Sequence, residues 1–223
     1  MSSIKEIESL MLKEFESIPF HNLFMLNNKN IAGSSVGGTC SDKVLHFRKI
    51  LSKNGYKSKL HSAIINDKDC HRMLSIEINN KLYFIDVGSG WPIIKLIPAY
   101  EPTKFSVFGM TFKTELYAEK IILYHRTNQE FKIMCVIPLI EKKEEEILRD
   151  IENRFDDKSI YPFQSSLRFS KIIGEKFYFL KGNRLRIYHQ NSMTEKTLTL
   201  TEISQLIKTT MNFDLTNLEI DFK

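Results

Sequence analysis

Two apolar runs meet at Asn79-Asn80, and that junction constrains the fold more than any other stretch of the chain. Before it, Leu74, Ile76 and Ile78 alternate with Met73, Ser75 and Glu77; after it, residues 82–87 read as a second strand. A period of two marks a strand, and asparagine tolerates the positive φ that a two-residue hairpin loop demands. The expected register sets residue 78 opposite 81, Met73 opposite Asp86 and His71 opposite Gly88. Side chains alternate across a strand, so His71, Met73, Asp86 and Gly88 share one face. His71 and Asp86 then become diagonal neighbours, roughly 7–8 Å apart at the backbone. A loop of odd length would put them on opposite faces.

The flanking segments read as follows. A stripe of Ile4, Ile7, Leu10, Met11, Glu14 and Phe15 predicts a helix over residues 3–17, stopped by Pro19. Residues 27–38 are polar and glycine-rich and read as a loop. A second helix is expected over residues 41–54, with Val44, Phe47 and Leu51 on one stripe, Asp42 in its first turn and Gly55 just past its end. Strands are expected at 105–112, 118–124 and 131–137, then a charged, partly exposed helix over 141–155 joining two halves. Strands at 167–173, 176–180 and 184–189 and a last helix over 201–211 complete the order. That order makes an α+β chain, not an alternating parallel sheet.

Several function classes drop out on composition. Cys40, Cys70 and Cys135 are odd in number and lack a C-x-x-C pair, which argues against a disulfide framework and structural zinc; no metal is expected. Sixteen Phe and eight Tyr supply bulk for a core without crosslinks. No run approaches about 18 apolar residues, and Lys5, Glu6 and Glu8 stand where a signal-peptide core would lie. A reduced, cytoplasmic setting without a membrane span is the expectation. The charge of +5 is scattered, with no basic block interleaved with aromatics, so nucleic acid is not an expected partner.

Cys40 follows Gly37-Gly38 where the loop hands over to the second helix. A thiol there feels the unpaired amides and positive end of the helix, which favour the thiolate. On local sequence alone, a small buried hydrophobe at a helix start is an equally good reading. His71 and Asp86 supply a base and a carboxylate to orient it. Asp86 lies among Phe84, Ile85 and Val87, where an unpaired charge is costly, so it needs a partner. Without Cys40, a strand-end histidine and a turn-starting aspartate are the better reading; with it, the three read as an activated thiol.

Other candidates are weaker. Cys70 neighbours His71 but belongs to the opposite strand face, and Cys135 sits in the apolar run 133–137 and reads as core. His46 reads as a helix-surface or core residue, and His61 as a rival base if the strand from Lys57 lies beside the Cys40 loop. His21, His125 and His189 have no carboxylate at a useful spacing. Gly88-Ser89-Gly90 reads, from spacing alone, as a tight turn at a strand end.

Taken in order, Ile18-Pro19-Phe20-His21-Asn22-Leu23, Gly37-Gly38-Thr39-Cys40, His71, Asp86-Val87-Gly88-Ser89-Gly90, Pro162-Phe163 and Lys181-Gly182-Asn183-Arg184-Leu185 resemble the arylamine N-acetyltransferases over nearly the whole chain. The resemblance implies a cysteine-protease-like arrangement. A helical domain over residues 1–56 would carry the nucleophile, a β-barrel domain over 57–140 the His and Asp, and a connecting helix over 141–158 would lead to an α/β lid over 159–223. It also implies passage of an acetyl group from acetyl-CoA, through a thioester on Cys40, to an arylamine or related small-molecule amine in ping-pong order. Coenzyme A and the amine are then the partners. Cys40 becomes the nucleophile, His71 the base and Asp86 the orienting carboxylate, with Gly88, Ser89 and Gly90 near the phosphate end of CoA.

Three departures qualify the likeness: Val36 stands where relatives usually carry arginine, His21 where they commonly carry glutamate, and Ser89 where an aromatic often sits. They keep two alternatives open, an amide synthase or thioesterase-like enzyme acting on another acyl thioester, and a non-catalytic binding domain on the same scaffold.

Overall fold

The computed structural model describes residues 2–28, 36–127, 129–156, 165–190 and 192–213. Pro162-Phe163 and most of the expected loop over 27–38 lie outside them. The first helix, α1 (Ser2–Ser17), buries Ile7, Met11, Glu14 and Phe15 from the expected stripe. The chain then passes through β1 (Phe20–His21) and the single turn α2 (Leu23–Leu26) to α3 (Cys40–Lys53), which buries Val44, Phe47 and Leu51.

Eight strands follow: β2 (Ser58–Ile65), β3 (Lys68–Ile78), β4 (Lys81–Ile85), β5 (Ile97–Pro98), β6 (Lys104–Val107), β7 (Met110–Leu116), β8 (Lys120–Arg126) and β9 (Lys132–Pro138). They form one antiparallel sheet in the order β5-β4-β3-β2-β9-β8-β7-β6, curled into a half-barrel. The hairpin at Asn79-Asn80 has the expected register. Ile78 faces Lys81 and Leu74 faces Ile85, with φ of 51° and 59° at the two asparagines. Asn66-Asp67, with φ of 50° and 60°, makes a second such turn between β2 and β3.

The sequence pattern misleads in four places. The strand expected at 105–112 is two strands, β6 and β7, folded back at Phe108-Gly109. Phenylalanine at positive φ carries no turn signal in its residue type. The alternation in β3 does not leave a solvent face: residues 70–76 are all buried, with α3 packed against the strand. Leu74 and Met73 therefore both belong to the core.

The connecting helix is shorter and deeper than expected. It runs as α4 (Glu144–Glu152) with a 3-10 turn at Asn153–Phe155, and it buries Ile147, Ile151 and Arg154. Glu144 and Asp150 tie it to the body of the molecule: Glu144 accepts from Arg48 at 2.8 Å and from the Leu60 amide at 3.2 Å, and Asp150 from Arg72 at 3.2 Å.

A second sheet takes β10 (Arg168–Ile173), β11 (Lys176–Lys181), β12 (Arg184–His189) and β13 (Ser192–Thr197), with β1 at one edge, in the order β1-β10-β11-β12-β13. Every residue of β13 is exposed, so no apolar alternation marks it in the sequence. The last helix, α5 (Leu200–Gln205), is started by a capping box between Thr199 and Glu202 and ends in a π turn at Leu206–Thr210. Ile203, Ile207 and Met211 pack with Phe169, Leu180 and Leu185 in a second, smaller core. No helix among the described residues is long and apolar enough to cross a membrane.

Candidate active site

Cys40 is the first residue of α3, with Thr39 as its N-cap. The Asp42 carboxylate accepts from the Thr39 amide at 2.9 Å and from its hydroxyl at 3.2 Å, fixing the helix start. Arg154 closes the far side of Asp42 at 2.8 Å, both groups being buried. Gly37 and Gly38 lead in with φ of 99° and 147°. A side chain at Gly38 would run into the Asp42 carboxylate, so the turn needs glycine on steric as well as conformational grounds.

The hairpin brings His71 and Asp86 together. His71 Nε2 lies 3.0 Å from Asp86 Oδ2, both side chains being buried. Asp86 Oδ1 accepts the Gly88 amide at 3.1 Å, so both carboxylate oxygens are engaged. The His71 side chain also faces Cys40, close enough to act on its thiol. Since Nε2 is held by Asp86, Nδ1 is the nitrogen left for the thiol. Thiol, imidazole and carboxylate thus form one buried row.

Electrostatics follow from that row. Burial pushes the Cys40 thiol up, but the hydrogen bond and charge of His71, with the charge and amide of Arg72, outweigh it and hold the thiol below its ordinary value. Burial pulls His71 down, and the Asp86 charge and hydrogen bond more than reverse that, raising His71 to about 10. The two directions together favour a thiolate–imidazolium pair at neutral pH.

The turn after Asp86 sits at the thiol. A Cβ on Gly88 would lie 2.7 Å from Cys40 Cα and Cβ, so only glycine lets the two backbones meet. Gly88 and Gly90 are buried, and Gly90 gives its carbonyl to Ser170 Oγ at 2.8 Å. Gly88 thus packs directly against the residue that carries the sulfur. Ser89 alone of the three lines the cavity beside His71 and Asp86. That cavity holds about 270 Å³ and is walled by Trp91, His125, Ile133, Met134 and Arg168 among others. Trp91 stacks on Phe179 of β11, centroids 4.5 Å apart, which seats the second sheet against the cavity wall.

The remaining candidates fall elsewhere. His61 is buried away from Cys40, with Nε2 on the Pro138 carbonyl at 2.8 Å. His46 pairs with Glu14 at 3.0 Å. Cys135 is core at the cavity's edge, and burial pushes its thiol well up. His189 is paired with Glu175 on the surface. His125 stands edge-on to Trp91 at 4.9 Å, with Nδ1 buried and without a hydrogen-bond partner among the described residues.

Two of the departures noted in the sequence touch each other. His21 is fully buried among Phe24, Phe169 and Phe213, and its Nε2 lies 3.3 Å from the Val36 carbonyl. A residue that the sequence did not single out is Arg72, fully buried beside His71; a cation in a strand carries no motif that would have marked it.

With the geometry in hand, the chain compares with known proteins as follows. A family model described as N-acetyltransferase matches residues 3–220. No curated protein matches the sequence at a significant level. Among solved structures, the arylamine N-acetyltransferase of Salmonella typhimurium is similar with a TM-score of 0.84 at 15% identity, covering 99% of this chain and 88% of that one. The Mycobacterium smegmatis enzyme gives 0.83 at 15%, covering 97% and 88%. The Mycobacterium marinum enzyme in complex with CoA gives 0.84 at 12%, covering 96% and 88%.

Proposed function

We infer the reaction from one premise: this chain belongs to the arylamine N-acetyltransferase family and is an acyltransferase. In our reading it moves an acetyl group from acetyl-CoA to an arylamine or related amine through a thioester on Cys40. The observation that carries this is the buried row from Cys40 through His71 to Asp86 at a helix start.

The steps follow from those groups. The Cys40 thiolate attacks the thioester carbonyl of acetyl-CoA, and amides at the start of α3 stabilise the oxyanion. The carbon–sulfur bond to CoA breaks, and the departing thiolate takes the proton from the His71 imidazolium. CoA leaves. The amine then attacks the acetyl carbon, neutral His71 accepts the amine proton, and Cys40 departs as thiolate beside a renewed imidazolium. Asp86 holds the ring and favours its charged form.

The cavity beside His71 suits the acceptor. It adjoins His71 and is walled by apolar and aromatic side chains, which suits a flat amine. Trp91 gives the cavity wall an aromatic ring where Ser89 gives none. We assign Gly88, Ser89 and Gly90 to coenzyme A binding, near its phosphate end, as the resemblance implies. We divide the work among a helical unit over 1–56, a strand unit over 57–140, the connecting segment 141–158 and a lid over 159–223. A working thiolate calls for a reducing compartment, and we assign the enzyme to the cytoplasm.

The test is a stoichiometry. Mixed with excess acetyl-CoA and no amine, the protein should release about one equivalent of free CoA per chain in a burst, and then stall. An arylamine should restart turnover. Cys40→Ala should give no burst. Continued CoA release without amine would point instead to a thioesterase, and no release at all would point to a binding domain.

A further inference from the structure

We propose that Arg72 is a positioning residue of this site: its guanidinium locks the β-bulge at Cys70 and thereby sets the direction in which β3 presents His71 to Cys40. The proposal rests on Cys40 being the nucleophile, as read above.

The bulge comes first. From Ser58 to Ala63 the register of β2 on β3 runs evenly, with Ser62 opposite Arg72 and Ala63 opposite His71. Ile64 then faces Asp69, so Cys70 is the extra residue on β3. A strand has a side-chain period of two, so one inserted residue decides which face its neighbours occupy. If the bulge relaxed, His71 would lose its aim at Cys40.

Arg72 brackets that extra residue. Nη1 donates to the His71 carbonyl at 3.0 Å, and Nη2 to the Asp69 carbonyl at 3.2 Å, one on each side of Cys70. Nη1 also reaches Asp69 Oδ1 at 2.7 Å and Ser62 Oγ on β2 at 3.1 Å. Nη2 meets Asp150 Oδ2 of α4 at 3.2 Å, and Lys142 bridges Asp150 to Asp69 at 2.5 and 2.9 Å. A fully buried guanidinium is costly unless its donors are met, and the planar fork of arginine is what spans two carbonyls and two carboxylates at once. Lysine, a point charge, cannot.

The bulge also shapes the surroundings of the sulfur. Cys40 Sγ lies 3.7 Å from the Cys70 carbonyl, as a donor to it when protonated. The Arg72 amide and the His71 ring act on the same thiol, each lowering it. Three consecutive residues of the bulged strand thus bear on one atom. The charged or titratable groups facing Cys40 are His71, Arg72 and Cys70 from β3, Asp86 behind His71, and Asp42 on its own helix, already paired with Arg154. Those facing Arg72 include Asp69, Asp150, Cys40 and Cys70 and, through the carboxylates, Lys142.

The experiment follows Cys40 directly and needs no acetyl transfer. The rate of alkylation by iodoacetamide is measured against pH for the wild type and for Arg72→Lys, with circular dichroism to establish folding. Arg72→Lys should raise the apparent midpoint of Cys40 by about one pH unit or more, because the sulfur loses an aligned imidazolium and a fixed cation. Its kcat for acetyl transfer should fall by about 10²-fold with KM for acetyl-CoA little changed, as expected for a misaimed base. A folded Arg72→Lys with the wild-type midpoint and kcat would overturn the proposal, since a merely structural ion pair would move neither. Should Arg72→Lys not fold, Asp150→Asn decides: it removes one anchor at a half-exposed position, and a raised midpoint supports the clamp while an unchanged one overturns it. Failure of the acetyltransferase reading shows up separately, as absence of a CoA burst in the wild type.

Discussion

Asp86 divides its two oxygens between His71 and the Gly88 amide, and that division links the imidazole to the turn that touches Cys40. Asp86→Asn keeps the size but removes the charge that holds His71 near 10. We predict a fall in kcat of roughly 10³–10⁴-fold, by analogy with the loss of the orienting carboxylate in serine triads. Alkylation of Cys40 against pH checks the cause, because the midpoint should move up as burial ceases to be opposed. Gly88→Ala should cost about 1–3 kcal/mol in a urea melt, since its Cβ meets the backbone of α3 and not the end of a flexible side chain.

His21 makes a different prediction. Burial among three aromatic rings holds it down to about 3, so it stays neutral at physiological pH. Its folded value lies below the ordinary 6.5, so the stability it contributes is complete above about 6.5 and is lost as pH falls towards 3. Relative to His21→Phe, the wild type should lose about 1.4 kcal/mol per pH unit below 6.5, read from urea melts at pH 7, 5 and 4. Equal slopes in the two proteins would show that His21 is not held neutral.

At the scale of elements, α3, the Asn79-Asn80 hairpin and α4 together assemble the site, and they differ in how legible they are. The hairpin could be read because two asparagines and a period of two fix both loop length and register. Asp86 could be read because its apolar neighbours demand a partner. Helix α4 could not: its charges look like a solvated face, yet Arg154 and Asp150 turn inward to Asp42 and Arg72. Whether a charge on a helix meets water or a buried partner depends on docking, which local sequence does not encode. The bulge at Cys70 is invisible for the same reason, since it arises from how β2 pairs with β3. The ion pair gives a test. Arg154→Met leaves Asp42 buried without its cation, where burial already pushes its carboxyl up, and should destabilise by about 3–5 kcal/mol in urea. It should also slow Cys40 alkylation, because Asp42 caps the helix that starts at the thiol.

At the scale of the whole molecule, the half-barrel and the smaller sheet meet at the site. Ser170 reaches the Gly90 carbonyl, and Phe179 stacks on Trp91 at the cavity wall. In the proposed reaction the thioester on Cys40 would have to be kept from water, and this contact is where the second sheet would do so. Phe179→Ala should shorten the life of the acetyl-enzyme about tenfold, equivalent to about 1.4 kcal/mol of barrier, as followed by decay of the adduct without amine. The central claim is that Cys40 itself carries the acetyl group, and mapping it by mass spectrometry after brief mixing with acetyl-CoA tests this most directly. The account predicts one added acetyl group on the peptide holding Cys40, removed on adding an arylamine and missing in Cys40→Ala. Acetyl on another residue, or an adduct on Cys40 that no amine discharges, would contradict it.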